Sequence, residues 1–450
     1  MTAAQINPCD LSIAEAGAAL RRGALSSVAL IQAHLDRIAM RDPQIGAFIH
    51  VAKADALVAA EIADKQLAAG LDRGPLHGIP FAVKDIIDVA GWPIRWGSRG
   101  QATRIAGETA DAVTAILAAG AVPLGVVATY ELATVGPDTT ALSRPPVNPW
   151  NASHITGGSS SGCAAAVAAG LVRIALGTDT GGSVRSPAAY CGVVGLKPTF
   201  DAISRMGVMT LSPSLDHVGV LAHSVDDAGL AFAALTGGSW QPGGISGLSL
   251  AYGRGWAVDP SAHPSLLPLL DDAAGALSLC GARIVPVDLP EYGSAEAAGS
   301  DIILAEGHAV HGEMIEADPA AIGDMARASI RAGHSIPAQR LARARECVAR
   351  LTSAIDAVLA DHDALLLPTT LAPAPRFSAF AAGKPVWTAM RTIPFNMTGH
   401  PALSVPMGLA DWLPLGLQIV GRKGGEDVIL RIGAAFEAAT DHSALQPSLD

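Results

Sequence analysis

Two short segments rich in glycine and serine could carry chemistry: residues 157–162 (Gly-Gly-Ser-Ser-Ser-Gly) and residues 181–183 (Gly-Gly-Ser). Glycine allows tight turns that expose backbone N–H groups, and serine adds a hydroxyl that becomes a nucleophile once a base removes its proton. An Ala/Val run with helical character and a strand-like segment, residues 171–176, lie between the two turns. This arrangement predicts that the two turns form the floor of an active site.

Three other interpretations of these glycines fit the sequence less well. A phosphate-binding P-loop needs Lys and Ser/Thr after its last glycine, but Gly162 is followed by Cys163 and Ala164. A dinucleotide fingerprint needs Gly-x-Gly-x-x-Gly, which the spacing does not match. A flexible linker would have polar flanks, whereas the flanks here are apolar and periodic.

The side chains that could activate a serine or replace it also need weighing. Histidine is the usual base, and the chain has 13 histidines, but Ser183 lies in Gly-Gly-Ser-Val-Arg and not in a Gly-x-Ser-x-Gly elbow. Cys163 and Cys191 lie beside the glycine turns and are candidate nucleophiles by position. Their Ala/Val/Gly surroundings favour buried, unreactive thiols.

The whole set of segments resembles the amidase signature family of serine hydrolases. The resemblance runs from about residue 78 to residue 418, in the family's order. Besides the two glycine–serine turns, it rests on Gly-Ile-Pro-Phe-Ala-Val-Lys-Asp (78–85), Ser-Leu-Asp-His-Val-Gly (214–219), Asn-Met-Thr-Gly-His-Pro-Ala-Leu-Ser-Val-Pro (396–406) and Pro-Leu-Gly-Leu-Gln (414–418). Departures at Thr156, Ser161 and Cys163 exchange one small residue for another and affect no catalytic role.

The resemblance implies a catalytic triad of Lys84 as base, Ser159 as relay and Ser183 as nucleophile, with no metal and no other cofactor. Lys84 ends an apolar segment, and burial would lower its pKa from about 10.4, so that the neutral amine could accept a proton. Ser159 can accept a proton from one neighbour and donate to the other. On its own, Lys84 would be read as an exposed strand-end lysine, which is what most lysines are.

The resemblance also implies an oxyanion hole and a cis peptide bond between Gly158 and Ser159. The oxyanion donors would be the backbone N–H groups of Thr180, Gly181, Gly182 and Ser183. We interpret the flanking Asp179 and Arg185 as an internal brace for this loop. Ser160 and Ser161 are expected to be helix-capping hydroxyls.

Strands and helices alternate through residue 194, which predicts an α/β fold. The resemblance implies the amidase-signature fold, a central mixed β-sheet covered by helices on both faces. We expect one domain over residues 1–450, with a helical region at about 225–360 that covers part of the site. The elements predicted from periodicity and turn signals are two helices in 11–41, helices 52–69, 109–119, 226–235 and 264–279, mostly helix in 302–359 with the last segment the longest, and strands 79–83, 121–127, 248–252 and 364–367.

Composition limits the class of protein. The chain has 450 residues, 50% apolar and 16% charged, so it can bury a large core. Its net charge of −11 argues against a nucleic-acid partner. The N-terminal segment lacks the features of a signal peptide, and the apolar stretches are too short to cross a membrane. Five scattered cysteines indicate reduced thiols, so we expect a cytoplasmic protein.

The expected function is that of a soluble amidase that cleaves C–N bonds of neutral amides through an acyl-enzyme, with aryl amides, carbamates (urethanes) and esters as further substrates. The loop at 128–136 and the segment 377–387 are predicted pocket walls. The alternative is a glutamine-dependent amidotransferase subunit of a complex, and a silent scaffold is a third class. A homodimer is the default oligomer.

Overall fold

The computed structural model describes residues 7–380 and 388–449. Within them there are thirteen α-helices and thirteen strands. The helices are α1 Ile13–Arg21, α2 Ser27–Ile45, α3 Lys53–Ala68, α4 Asp111–Ala118, α5 Ser161–Ala168, α6 Arg185–Cys191, α7 Val225–Thr236, α8 Leu266–Leu279, α9 Tyr292–Ala317, α10 Asp324–His334, α11 Ala338–Asp361, α12 Pro394–Met397 and α13 Glu426–Ala439. The strands are β1 Phe48–Val51, β2 Pro80–Lys84, β3 Val122–Val127, β4 Val147–Asn148, β5 Asn151–Ile155, β6 Ile174–Asp179, β7 Val194–Lys197, β8 His217–Ala222, β9 Ser249–Tyr252, β10 Arg283–Pro286, β11 Ala364–Pro368, β12 Ala402–Ala410 and β13 Leu413–Gly421.

Eleven of these strands form one mixed sheet, in the order β1-β3-β2-β6-β8-β7-β12-β13-β11-β9-β10. β2 is parallel to both of its neighbours, β3 and β6, while the five junctions from β6 to β11 are antiparallel. Because parallel neighbours end at the same edge of a sheet, the carboxyl ends of β2 and β6 lie side by side. That edge holds Lys84 and the loop after Asp179.

Both faces of the sheet are covered, as the alternation of side chains shows. In β2, Phe81 and Val83 pack into one apolar core and Ala82 packs into another. In β6, Ile174 and Leu176 join the first core and Ala175 joins the second. Since successive side chains of a strand point to opposite faces, the sheet separates two cores and is buried on both sides. The predicted fold class, a mixed sheet between helices, is confirmed.

Most predicted elements begin and end within a few residues of those in the structure. Two predictions differ more clearly. The strand expected at 171–176 is β6, Ile174–Asp179, which lies three residues later. Pairing decides this, because β6 is in register with β8 as far as Asp179 opposite His217. The mostly helical region 302–359 is made of α9, α10 and α11. The longest of these is α9, with 26 residues, and not the last, so the prediction of a longest final segment is wrong.

Candidate active site

Lys84 is the last residue of β2, and its side chain is completely buried. Its Nζ donates hydrogen bonds to Ser159 Oγ (2.9 Å) and to Thr178 Oγ1 (2.8 Å). Burial lowers the pKa of this amine to about 7, although the nearby Cys163, Asp179 and Asp216 favour the charged form. An amine with this pKa is neutral in a large fraction of molecules at neutral pH and can accept a proton.

Ser159 lies at the turn before α5, and the peptide bond between Gly158 and Ser159 is cis, as the resemblance implied. The Ser159 carbonyl accepts hydrogen bonds from the Tyr130 N–H (3.0 Å) and from Thr129 Oγ1 (3.2 Å). These bonds anchor the turn to the loop that follows β3. These backbone contacts therefore position the Ser159 hydroxyl next to the amine of Lys84.

Ser183 belongs to the loop between β6 and α6, and this loop is joined to the Ser159 turn. The Ser160 N–H donates to the Ser183 carbonyl at 3.2 Å. Ser183 is only partly buried, whereas Ser159 is 1% exposed. The structure thus brings all three predicted catalytic residues into one region, with Lys84 sealed inside and Ser183 facing a cavity.

The loop from Thr180 to Ser183 has one departure from the expected oxyanion hole. The Gly182 N–H donates to Asp179 Oδ1 at 2.8 Å and is therefore not directed at a substrate. The expectation that the Gly182 N–H is an oxyanion donor is therefore wrong, because this N–H is already bound to the Asp179 carboxylate that precedes the loop. Gly182 is needed as a glycine instead: its φ is +134°, and a Cβ there would lie 2.2 Å from Thr392 Oγ1.

Asp179 and Arg185 form the brace that the sequence suggested. The guanidinium donates from Nε to Asp179 Oδ2 (3.0 Å) and from Nη2 to Oδ1 (2.9 Å). Its remaining donors bind the Gln418 side chain (2.7 Å), the Asn396 side chain (2.7 Å) and the Thr392 carbonyl (2.8 Å). Burial opposes ionisation of Asp179, but the Arg185 charge outweighs it and holds the pKa of that carboxyl well below its usual range. The paired charges fix the loop to β13 and α12.

Two positioning residues were not found by sequence reasoning. Thr178 supplies the second hydroxyl to Lys84 Nζ. Asp216, inside the noted 214–219 segment, accepts from Thr180 Oγ1 (2.6 Å) and from the N–H groups of Leu211 and Ser212. A signal for Thr178 did exist, since it is a polar residue in a strand that is otherwise apolar up to Asp179.

The capping role expected for two serines is wrong. Ser160 occupies the N-cap position of α5 but forms no side-chain capping bond. Its hydroxyl instead donates to the Thr178 carbonyl at 3.1 Å, and the Ser161 hydroxyl contacts the Ala128 carbonyl at 3.4 Å. The two serines attach the start of α5 to β6 and to the residue that follows β3, and not to their own helix.

The other candidate bases and nucleophiles have different surroundings. His217 bonds through Nδ1 to the Leu215 carbonyl (2.7 Å), and in the described ranges no histidine ring is hydrogen-bonded to Ser159 or Ser183. Cys163 and Cys191 are fully buried, as predicted, and burial raises the pKa of the Cys163 thiol to about 12. Thiols in this state are not nucleophiles.

An open cavity of about 750 Å³, which includes the space at its mouth, lies against Ser183. Its walls come from the glycine turns, from Tyr130 and residues 133–136, and from α9 and α10, which contribute Ile303, Leu304, Ser329 and Ile330. Over residues 7–380 and 388–449, no Asp, Glu, Lys, Arg or His side chain lines it. The cavity is therefore suited to an uncharged, largely apolar group.

The two predicted pocket walls have different outcomes. The loop 128–136 contributes Tyr130 and residues 133–136 to the cavity. Of the segment 377–387, residues 381–387 lie outside the described residues. Phe380 packs with Ile155 and Tyr190 in a small apolar cluster and does not line the cavity, whereas Thr388 and Met390, just beyond the segment, do.

Comparison with known proteins shows the family of this chain. The family model described as Amidase matches residues 29–243 and 246–430. The chain therefore belongs to the amidase family.

Relatives within this family carry two different descriptions. The A subunit of glutamyl-tRNA(Gln) amidotransferase from Chloroflexus aggregans (strain MD-66 / DSM 9485) is 34% identical over 485 aligned residues, covering 98% of each chain. A crystal structure of an amidase superposes with a TM-score of 0.87 at 29% identity, covering 95% of this chain and 99% of that one. Native peptide amidase from Stenotrophomonas maltophilia gives a TM-score of 0.83 at 30% identity, covering 98% and 99%.

Two other kinds of feature are absent from the described residues. No helix there is long and apolar enough to cross a membrane. No group of three or more His, Cys, Asp or Glu side chains there has the arrangement of a metal site.

Proposed function

We propose that this chain hydrolyses the C–N bond of neutral amides, with Ser183 as nucleophile, Ser159 as proton relay and Lys84 as base. The observation that carries the proposal is the hydrogen bond from the fully buried Lys84 Nζ to Ser159 Oγ, made by an amine whose pKa is lowered to about 7. Among the described residues, Lys84 Nζ is hydrogen-bonded to no carboxylate and to two hydroxyls. It is equipped to exchange protons with them.

The reaction would proceed in two halves. Ser183 Oγ attacks the carbonyl carbon, its proton passes to Ser159 Oγ, and the Ser159 proton passes to Lys84 Nζ. The same relay then returns a proton to the leaving nitrogen as the C–N bond breaks, leaving an acyl group on Ser183. Water repeats the sequence and releases the acid. Developing charge on the carbonyl oxygen would be met by the N–H groups of Thr180, Gly181 and Ser183, since Gly182 is bound to Asp179.

The substrate would be uncharged where it occupies the cavity. Free glutamine carries an ammonium and a carboxylate, and no charged side chain of the described residues lines the cavity to bind either. Aryl amides, carbamates and esters place an apolar group beside a carbonyl and fit these walls. A carbamate differs only in the atom beside the carbonyl, so the same nucleophile and N–H donors would serve.

A second candidate is the amidotransferase subunit, supported by the relative from Chloroflexus aggregans, which is 34% identical over 98% of the chain. In that case the chain would release ammonia from glutamine and would act within a complex. Assays of the purified protein on glutamine, an anilide, an aryl carbamate and the matching aryl ester distinguish the two candidate functions. Turnover of the anilide or carbamate without glutamine supports the amidase, whereas ammonia from glutamine alone supports the amidotransferase role.

The nucleophile is tested by Ser183→Ala, with Ser353→Ala, an exposed serine on α11, as the matched control. We expect Ser183→Ala to lower kcat by at least about 10³-fold while the melting temperature stays close to that of the wild type. The control should keep wild-type kcat. Retained turnover in Ser183→Ala would contradict the assignment.

A further inference from the structure

A second cavity, which we call the arginine pocket, is defined by Arg37, Arg41, Arg173 and His223. It has a volume of about 890 Å³ including its open mouth and shares no lining residue with the cavity at Ser183, as far as the described residues go. Arg37 and Arg41 are one turn apart on α2, and Arg173 directly precedes β6. Three cations from two parts of the chain thus face one space.

Arg37 and Arg41 converge on the end of α5. Arg37 Nη1 donates to the Gly170 carbonyl (3.2 Å), and Arg41 Nη1 donates to the Ala169 carbonyl (3.2 Å). A Cβ on Gly170 would lie 3.0 Å from the first of these nitrogens and 3.9 Å from the second. Cations at a helix C-terminus are favourable, which accounts for part of this arrangement. Both guanidinium groups use Nη1 for these contacts, so further N–H donors remain.

The three arginines of the pocket differ in their ion pairing. Arg37 Nη1 lies 2.7 Å from Asp10 Oδ1, and Arg173 donates from Nε and Nη2 to Asp227 Oδ2 at 2.9 and 2.6 Å. Arg41 has no carboxylate partner among the described residues. Two of the three guanidinium groups are therefore in ion pairs, and the third, Arg41, is not.

The three arginines also differ in their burial. Arg37 and Arg173 are only 6% and 8% exposed. His223, which is hydrogen-bonded to Gln446, adds no charge at neutral pH because burial and Arg173 lower the pKa of its ring to about 4. Arg41, which has no carboxylate partner among the described residues, is only partly buried, so its guanidinium group stays accessible to a ligand that enters the pocket.

We propose that the arginine pocket binds a small oxyanion, a phosphate or carboxylate group, at a site separate from catalysis. The planar guanidinium donates two parallel N–H groups, which match two oxygens of either anion. Arg41 is the principal ligand, since no carboxylate of the described residues takes up its charge. Arg37 and Arg173, held by Asp10 and Asp227, line the same space.

The test is titration calorimetry of the full chain with sodium phosphate and, separately, with sodium succinate, at ionic strength held constant with sodium chloride. We expect saturable binding of at least one anion with a Kd below about 10 mM. Arg41→Ala should weaken that binding by about tenfold or more, because a charge-assisted bond is lost. Arg350→Ala, an exposed arginine on α11, is the matched control and should bind as the wild type does.

The calorimetry distinguishes a phosphate ligand from a carboxylate ligand, and the Arg41 variant tests where the anion binds. Binding of phosphate alone assigns a phosphate ligand, and binding of succinate alone assigns a carboxylate. If neither binds, or if Arg41→Ala binds as tightly as the control, the proposal is wrong. Should Arg41→Ala fail to fold, Arg41→Lys replaces it, since a lysine keeps the charge but loses the planar pair of donors and should still weaken binding.

Discussion

Two buried lysines of this protein have similar positions in the sheet but different hydrogen-bond partners. Lys84 is the last residue of β2 and Lys197 the last residue of β7, and neither has any exposed surface. Burial lowers the pKa of both amines. Lys84 donates to two hydroxyls, whereas Lys197 donates to two backbone carbonyls, those of Pro198 (2.9 Å) and His400 (2.7 Å).

The difference between these two sites lies in the partner and not in burial. A hydroxyl can both accept and donate, so Ser159 can pass a proton to Lys84 and take it back. A carbonyl oxygen has no proton to give, so Lys197 can only act as a donor that connects two loops. A lowered pKa therefore indicates chemistry only when the group that faces the amine can exchange a proton.

Among the variants that test the comparison of the two lysines, Lys84→Ala is expected to have the largest effect. Without the base, Ser183 has no proton acceptor through Ser159, and we expect kcat to fall by about 10²–10⁴-fold on the best substrate of the panel. The melting temperature should change much less than the activity. A histidine variant, His217→Ala, provides the comparison, and an equally inactive His217→Ala with an intact fold would revive the histidine base.

The pH dependence should follow the ionisation of Lys84. Its amine is protonated and inactive below a pKa of about 7, so kcat/KM should rise about tenfold per pH unit up to neutrality and level off above it. Burial raises the pKa of the neighbouring Asp85 carboxyl to about 7 as well, so this group needs a control. The acid limb should persist in Asp85→Asn, and a limb that disappears there would assign it to the carboxyl.

The smallest effect on activity is expected for Lys197→Met. The change removes the donor from the Pro198 and His400 carbonyls, and we expect the free energy of unfolding to fall by about 1–3 kcal/mol. The folded variant should retain kcat within about twofold. Denaturant unfolding measures the free energy of unfolding, and turnover per titrated active site measures kcat. A large loss of kcat at unchanged stability would show that Lys197 also takes part in catalysis.

The fold class, the family and the candidate catalytic residues could be predicted from the sequence alone. The alternation of apolar helices and strands predicts the α/β fold, because each element must bury one face against a neighbour. The order of the short sequence segments identifies the family, and the resemblance predicts Lys84, Ser159 and Ser183 as the catalytic residues. The pairing of Asp179 with Arg185 was also predictable, since opposite charges that flank a glycine loop have few other partners.

Only the tertiary structure decided what each of these groups contacts. The fragments Ala-Val-Lys-Asp and Gly-Leu-Lys-Pro do not show that one lysine faces hydroxyls and the other carbonyls, because the partners come from strands and loops up to 203 residues away. Thr178 reaches Lys84 through the parallel pairing of β2 with β6. The Gly182 N–H turns towards Asp179 because Arg185 holds that carboxylate in place. These contacts depend on register and burial, which no local pattern encodes.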